Sequence, residues 1–233
     1  MGHIKGIIFD FGGTLDSGGD HWSHVIHDAW TAAGITTDYP TFRAAYIHGE
    51  RNITPLVIPS DNMLTLLTKK ISLELLHAFG DDSRAQEIAS LCYSHARECI
   101  SHVLPPLEAL ADKFPMVIVS NFYGNLRSVL ADYGMTHLFR GVIDSAESGV
   151  RKPDPAIFRL GLDMLGTEPG ETLVVGDSID KDILPALSLG CPTAIVTGRQ
   201  WDDMPLPQLP DGCVQFRSIA SLADHILEVG CER

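Results

Sequence analysis

Ile7-Ile8-Phe9-Asp10-Phe11-Gly12-Gly13-Thr14-Leu15-Asp16 is an apolar run that ends on a carboxylate and then on two glycines. Consecutive large apolar residues bounded by turn signals read as a strand buried on both faces, as in parallel sheets. Asp10 then stands just past the carboxyl end of that strand, where open α/β sheets bind their ligands. Residues 116–119, 142–143, 173–175 and 194–196 repeat the short apolar pattern, and helical patterns alternate with them. Leu126, Val129, Leu130 and Tyr133 have the spacing of one helix face, closed by Gly134. Another helix opens at Asp154-Pro155 and stops near Gly166, and a last one runs from Ser218 with Ile219, Leu222, Ile226 and Val229 inward. This alternation predicts an α/β fold, a Rossmann-like doubly wound parallel sheet with helices on both faces.

Residues 17–104 show no strand pattern. Trp22, Val25, Ile26 and Ala29 share one helical face, and Leu64, Leu67, Ile71 and Leu75 share another. The expected organisation is a core of residues 1–16 and 105–233 with an all-helical cap, 17–104, inserted after the first strand. Leu107, Leu110, Ala111 and Phe114 mark a further helix on the return to the core, and Lys69 and Lys70 read as the polar face of a long cap helix. The Pro-rich stretch 204–210 reads as a stiff surface connection.

A chain of 233 residues suffices for one generous α/β domain with a smaller insertion. The net charge of −13 offers no footprint for nucleic acid, which calls for clustered Lys and Arg. The five cysteines are odd in number and form no CxxC pair, which reads as a reducing compartment without structural zinc. No apolar run approaches the ~20 residues of a membrane span, and the chain starts without a signal-peptide pattern. A cytoplasmic protein that meets no membrane is the expectation; oligomeric state is not legible.

At the strand ends the sequence places Asp10, then Ser120-Asn121, then Asp177 and Asp182, with Lys152 in the loop 149–153 just before a helix. Singly, each has an ordinary explanation as a helix cap or a solvated lysine. Together they bring three acids, a lysine and a hydroxyl to one sheet edge, which is unstable without a further cation such as a divalent metal.

In these residues the chain resembles the haloacid dehalogenase superfamily. Asp10-Phe-Gly-Gly-Thr-Leu-Asp16 is similar to its first motif, Ser120-Asn121 to its second, Lys152-Pro-Asp-Pro155 to its third, and Gly176-Asp-Ser-Ile-Asp-Lys-Asp182 to its fourth. The cap resembles the type 1 helical cap of phosphoglycolate phosphatase-like members. The resemblance implies a Mg²⁺-dependent hydrolase of a small phosphorylated metabolite. Asp10 would be the nucleophile that forms an aspartyl-phosphate, and Ser120, Asn121 and Lys152 would hold the phosphoryl group. Asp10, Asp177 and the backbone carbonyl of Gly12 would bind the metal, with Asp182 supporting that set. Arg51 in the cap is a candidate clamp for a substrate anion.

Phosphatases of this family carry a second Asp two residues after the nucleophile, as acid and base; here that residue is Gly12. In one account another group replaces it, drawn from Asp16, Asp20, His21, His48, Glu50 or Arg51. In a second the chain is a phosphonate-cleaving relative, which would use a cap lysine as a Schiff base. In a third it is a catalytically weak phosphate-binding or regulatory protein. Dehalogenases also lack this Asp, but they work without metal and without the acids at 177 and 182.

Overall fold

The computed structural model describes residues 4–205 and 208–231. Its centre is β1 (Gly6–Phe9), each residue of which is buried. β2 (Met116–Ser120) pairs with one edge of β1, with Ile7 opposite Met116, and β4 (Thr172–Gly176) pairs with the other, with Ile7 opposite Leu173. β3 (Gly141–Asp144), β5 (Thr193–Val196) and β6 (Cys213–Phe216) complete a six-stranded sheet of order β3-β2-β1-β4-β5-β6, with every pairing parallel. The connections reverse direction at β1, so the crevice where ligands bind such sheets opens beside Asp10.

The five strands expected from the sequence are present as β1 to β5. β6 was not anticipated: its residues are half-buried or exposed, so it lacks a continuous apolar run. Between β1 and β2 the described residues form helices and no strand. α1 (Trp22–Ala32) is capped by His21, α2 (Tyr39–Asn52) by Asp38 and α3 (Met63–Phe79) by Asn62, each accepting a backbone N–H of the first turn. α4 (Ala85–Ala111) carries the chain back to the core in one continuous helix with Pro105 and Pro106 inside it. The boundary expected at residue 104 therefore falls within a helix, and the helix expected at Leu107 is the end of α4.

Downstream lie α5 (Leu126–Asp132), a single turn α6 (Ser145–Ser148), α7 (Ala156–Leu165), α8 (Leu184–Ser188) and α9 (Ile219–Cys231). The Val229 side chain lies outside the described residues, as do Leu206 and Pro207 of the Pro-rich connection. α7 lies directly on the sheet: a Cβ at Gly161 would stand 2.9 Å from Ile8 and from Val119. On the opposite face, Ile7, Phe9 and Ile118 share one core with cap residues Trp30, Phe42 and Ile71, so cap and sheet are packed as a unit. The segment after β5 ties them further. Asp202 accepts from Tyr39 and Arg43 of α2, and Arg199 pairs with Asp20 and Asp28.

Candidate active site

Asp10 extends β1 by one residue and its N–H still donates to Val175 O of β4 at 2.8 Å, which fixes the carboxylate at the sheet edge. Ser120, the last residue of β2, donates from Oγ to Asp10 Oδ1 at 3.0 Å. Lys152 Nζ donates to the same oxygen and to Asp182 Oδ1, both at 2.5 Å. The Thr14 hydroxyl lies between Asp10 Oδ2, at 3.0 Å, and Asp177 Oδ1, at 3.2 Å. The sequence thus brings Asp10, Ser120, Lys152, Asp177 and Asp182 together as expected from strand-end placement.

Asn121 also lines the cavity, and its amide is engaged with the backbone of Lys152. Nδ2 donates to Lys152 O at 3.1 Å and Oδ1 accepts from Lys152 N at 2.8 Å. The asparagine therefore aims the lysine. Arg51 stands exposed at the cavity rim.

Two glycines make room for the acids. At Gly13, φ is +96° and a Cβ would lie 2.6 Å from an oxygen of Asp177; at Gly176 a Cβ would overlap Asp182. Gly12 differs, since a Cβ there would meet nothing within 4 Å and its φ is not positive. Packing does not require a glycine at position 12. The missing side chain is a chemical difference and not a steric necessity.

Charge is unbalanced at this edge. Burial opposes a charge on Lys152, but Asp10 and Asp182 outweigh it and push its pKa up to about 12. Burial, followed by the charges of Asp10 and Asp182, holds the Asp177 carboxyl well above the usual carboxylate range. Oxygens of Asp10, Asp177 and Asp182 lie within 4.8 Å of one another, and one lysine cannot neutralise three carboxylates. The donors are all hard oxygens, a set that suits Mg²⁺.

A cavity of about 620 Å³ opens above Asp10. Met63, Leu66 and Leu67 give it an apolar cap wall, and Trp201 closes it from the segment after β5. Lys70 also lines it, so the reading of this lysine as part of a polar helix face is corrected: it is 4% exposed. Its ammonium pairs with Glu50 and lies 4.2 Å over the Tyr46 ring. Glu50 in turn accepts from Tyr123 Oη at 2.8 Å, a bond from the loop after β2 to the cap. Burial works against the Lys70 charge, but Glu50 and Glu74 outweigh it and raise its pKa. Periodicity missed this lysine because an ion pair satisfies it on a helix face that sequence alone makes look wet.

The groups named as replacements for the absent acid occupy different places. Asp20 is held by Arg199, and His48 stacks on His77 at 4.3 Å. Asp16 lines the cavity, but its oxygens accept from Gly13 N at 2.8 Å and Trp22 Nε1 at 3.1 Å, and burial pushes its pKa up to about 7. Glu50 is committed to Lys70 and Tyr123. Sequence reading passed over Thr14, although it lies inside the first motif. It passed over Tyr123 and Trp201 because no local pattern announces them.

Among the described residues no helix is long and apolar enough to cross a membrane. The profile of haloacid dehalogenase-like hydrolases matches residues 4–190. The chain is 36% identical over 93 residues to a glyceraldehyde 3-phosphate phosphatase of Methanocaldococcus jannaschii, a stretch that covers 40% of each protein. It is 25% identical over 231 residues to a phosphoglycolate phosphatase of Aquifex aeolicus, 97% of this chain and 100% of that one. Its fold is similar to a magnesium-bound HAD-hydrolase of Bacillus subtilis, with a TM-score of 0.60 at 17% identity over 97% of this chain and 99% of that chain. With four strand-end motifs in order, a six-stranded parallel sheet and a profile match over most of its length, the chain belongs to the haloacid dehalogenase-like hydrolase family.

Proposed function

We propose that the protein is a Mg²⁺-dependent phosphatase of a small phosphorylated metabolite that acts through Asp10. The observation that carries this is the Asp10 carboxylate itself. One oxygen is oriented by Lys152 and Ser120 and the other by Thr14, at the floor of the cavity. A carboxylate pre-oriented in this way is a nucleophile aimed at one point. Asp10 attacks phosphorus, the bond to the leaving oxygen breaks, and an aspartyl-phosphate remains for water to hydrolyse. Lys152 and Ser120 hold the phosphoryl oxygens as they flatten, and Asn121 keeps Lys152 in place. Mg²⁺, held by Asp10, Asp177 and the Gly12 carbonyl, would supply charge neutralisation at the phosphoryl group.

The phosphonate-cleaving account is the weaker one. An amine that forms a Schiff base must lose its proton readily, whereas the ion pair with Glu50 keeps Lys70 an ammonium.

Pre-steady-state release of nitrophenol from p-nitrophenyl phosphate with Mg²⁺ tests the proposal, with Asp10→Asn as control. Native protein is expected to release at least one equivalent and the variant none. Equal release by both, or none by a native protein that binds Mg²⁺, overturns it and favours the binding or regulatory account.

A further inference from the structure

With no side chain at position 12, the leaving oxygen needs a partner from elsewhere. Asp16 and Glu50 have their oxygens engaged, and Lys70 is pinned by Glu50. His21 is placed differently. Its ring lines the cavity and is fixed by Trp201, edge-on at 4.9 Å, and by Tyr46 at 5.8 Å. On the helix side the Ser23 N–H donates to Nδ1 at 3.2 Å, and Ser23 Oγ lies 2.8 Å from the same nitrogen. A backbone N–H can only donate, so Nδ1 is the bare nitrogen and the ring proton sits on Nε2. Among the described residues no protein group bonds Nε2.

Burial, reinforced by the cationic neighbours, keeps this ring neutral. Burial, then Lys181 and Lys70, outweigh Glu50, and His24 adds in the same direction, so that the pKa is pushed down to about 4. A neutral imidazole with Nε2–H can donate a hydrogen bond but does not surrender its proton near pH 7.

We infer that His21 gives the ester's leaving oxygen a hydrogen bond that is never transferred, and that, with no side-chain acid at position 12, the enzyme is restricted to phosphates of weakly basic leaving groups. The inference rests on the phosphatase reading above. As Asp10 bonds to phosphorus, the electron pair of the breaking P–O bond passes to the leaving oxygen, which departs as an anion and is protonated by solvent. The His21 proton stays on its nitrogen throughout. Aryl and acyl phosphates and pyrophosphates leave in this way, whereas an alkoxide does not.

The test uses aryl phosphates of graded leaving-group pKa on the native protein and on His21→Asn. Asparagine keeps an acceptor at the start of α1 but removes the ring donor. The second-order rate constant of phenol release is expected to fall about 100-fold for phenyl phosphate, in the range of losing one fixed donor, and less for p-nitrophenyl phosphate. The plot of log rate against leaving-group pKa steepens accordingly. The native profile shows no limb from His21 between pH 5 and 9. A uniform loss across the series, or no loss, overturns the inference. His21→Ser, also a good cap, repeats the comparison if the Asn variant fails to fold. Absence of any Asp10-dependent release from native protein would instead refute the phosphatase reading.

Discussion

Gly12→Asp separates a missing acid from a missing enzyme. The position has an ordinary φ and no atom within 4 Å of a new Cβ, so the substitution strains neither backbone nor packing. The backbone carbonyl expected to hold metal is unchanged. The new carboxyl would enter the cavity that Asp10 and Asp177 also line, and neighbouring like charge raises a carboxyl pKa, which suits an acid. General acid catalysis is worth about 10²–10⁴-fold, or ~3–5 kcal/mol of barrier. With Mg²⁺, turnover of an alkyl phosphate such as glycerol phosphate is expected to rise at least ~100-fold. Turnover of p-nitrophenyl phosphate, whose leaving group needs little help, is expected to change far less. Steady-state rates on both substrates, with circular dichroism and Mg²⁺ binding as controls, give the answer. A folded, metal-binding variant with no gain on the alkyl ester, or with equal gains on both esters, would refute the reasoning.

Lys152→Met leaves Asp10 and Asp182 buried without their shared cation and is expected to lower stability by ~3–5 kcal/mol in urea titrations, with part of the loss recovered by added Mg²⁺. Gly13→Ala drives a methyl group into the Asp177 carboxylate at a φ of +96°, and calorimetry is expected to show Mg²⁺ affinity reduced well before any change in secondary structure. Glu74 is fully buried with both oxygens unbonded among the described residues, and burial pushes its pKa up to about 8 from an ordinary 4.5. The folded state thus binds this proton more tightly than the unfolded chain, so the contribution of Glu74 is fully present below pH 4.5 and is lost as pH rises through about 8. Glu74→Gln should therefore match the native urea midpoint at pH 5 and exceed it at pH 9; a constant difference between the two proteins would contradict this.

Much of the site was legible because it depends on chain order and strand ends. Asp10, Ser120, Asp177 and Asp182 follow apolar runs, and a parallel sheet delivers the ends of such runs to one edge whatever the rest of the chain does. The same logic gave β1 to β5 and the helical insertion, while β6 escaped because an edge strand with half-exposed faces has no apolar run to read. The absence of a carboxyl at position 12 is a fact of sequence alone.

What lines the other side of the cavity was decided only by the tertiary structure. Lys70 is a helix-face lysine until α2 brings Glu50 against it and Tyr46 beneath it. The proton on His21 is placed by Ser23 two residues away, but its electrostatic surroundings come from Lys181 in the core and Lys70 in the cap. Trp201 reaches the cavity from a segment about 180 residues beyond His21. Periodicity and motif spacing report interactions within one element or along one sheet edge. Burial of a charge, the electrostatic surroundings of a ring and the shape of a binding cavity depend on groups distant in sequence, whose approach is set by how cap and core pack.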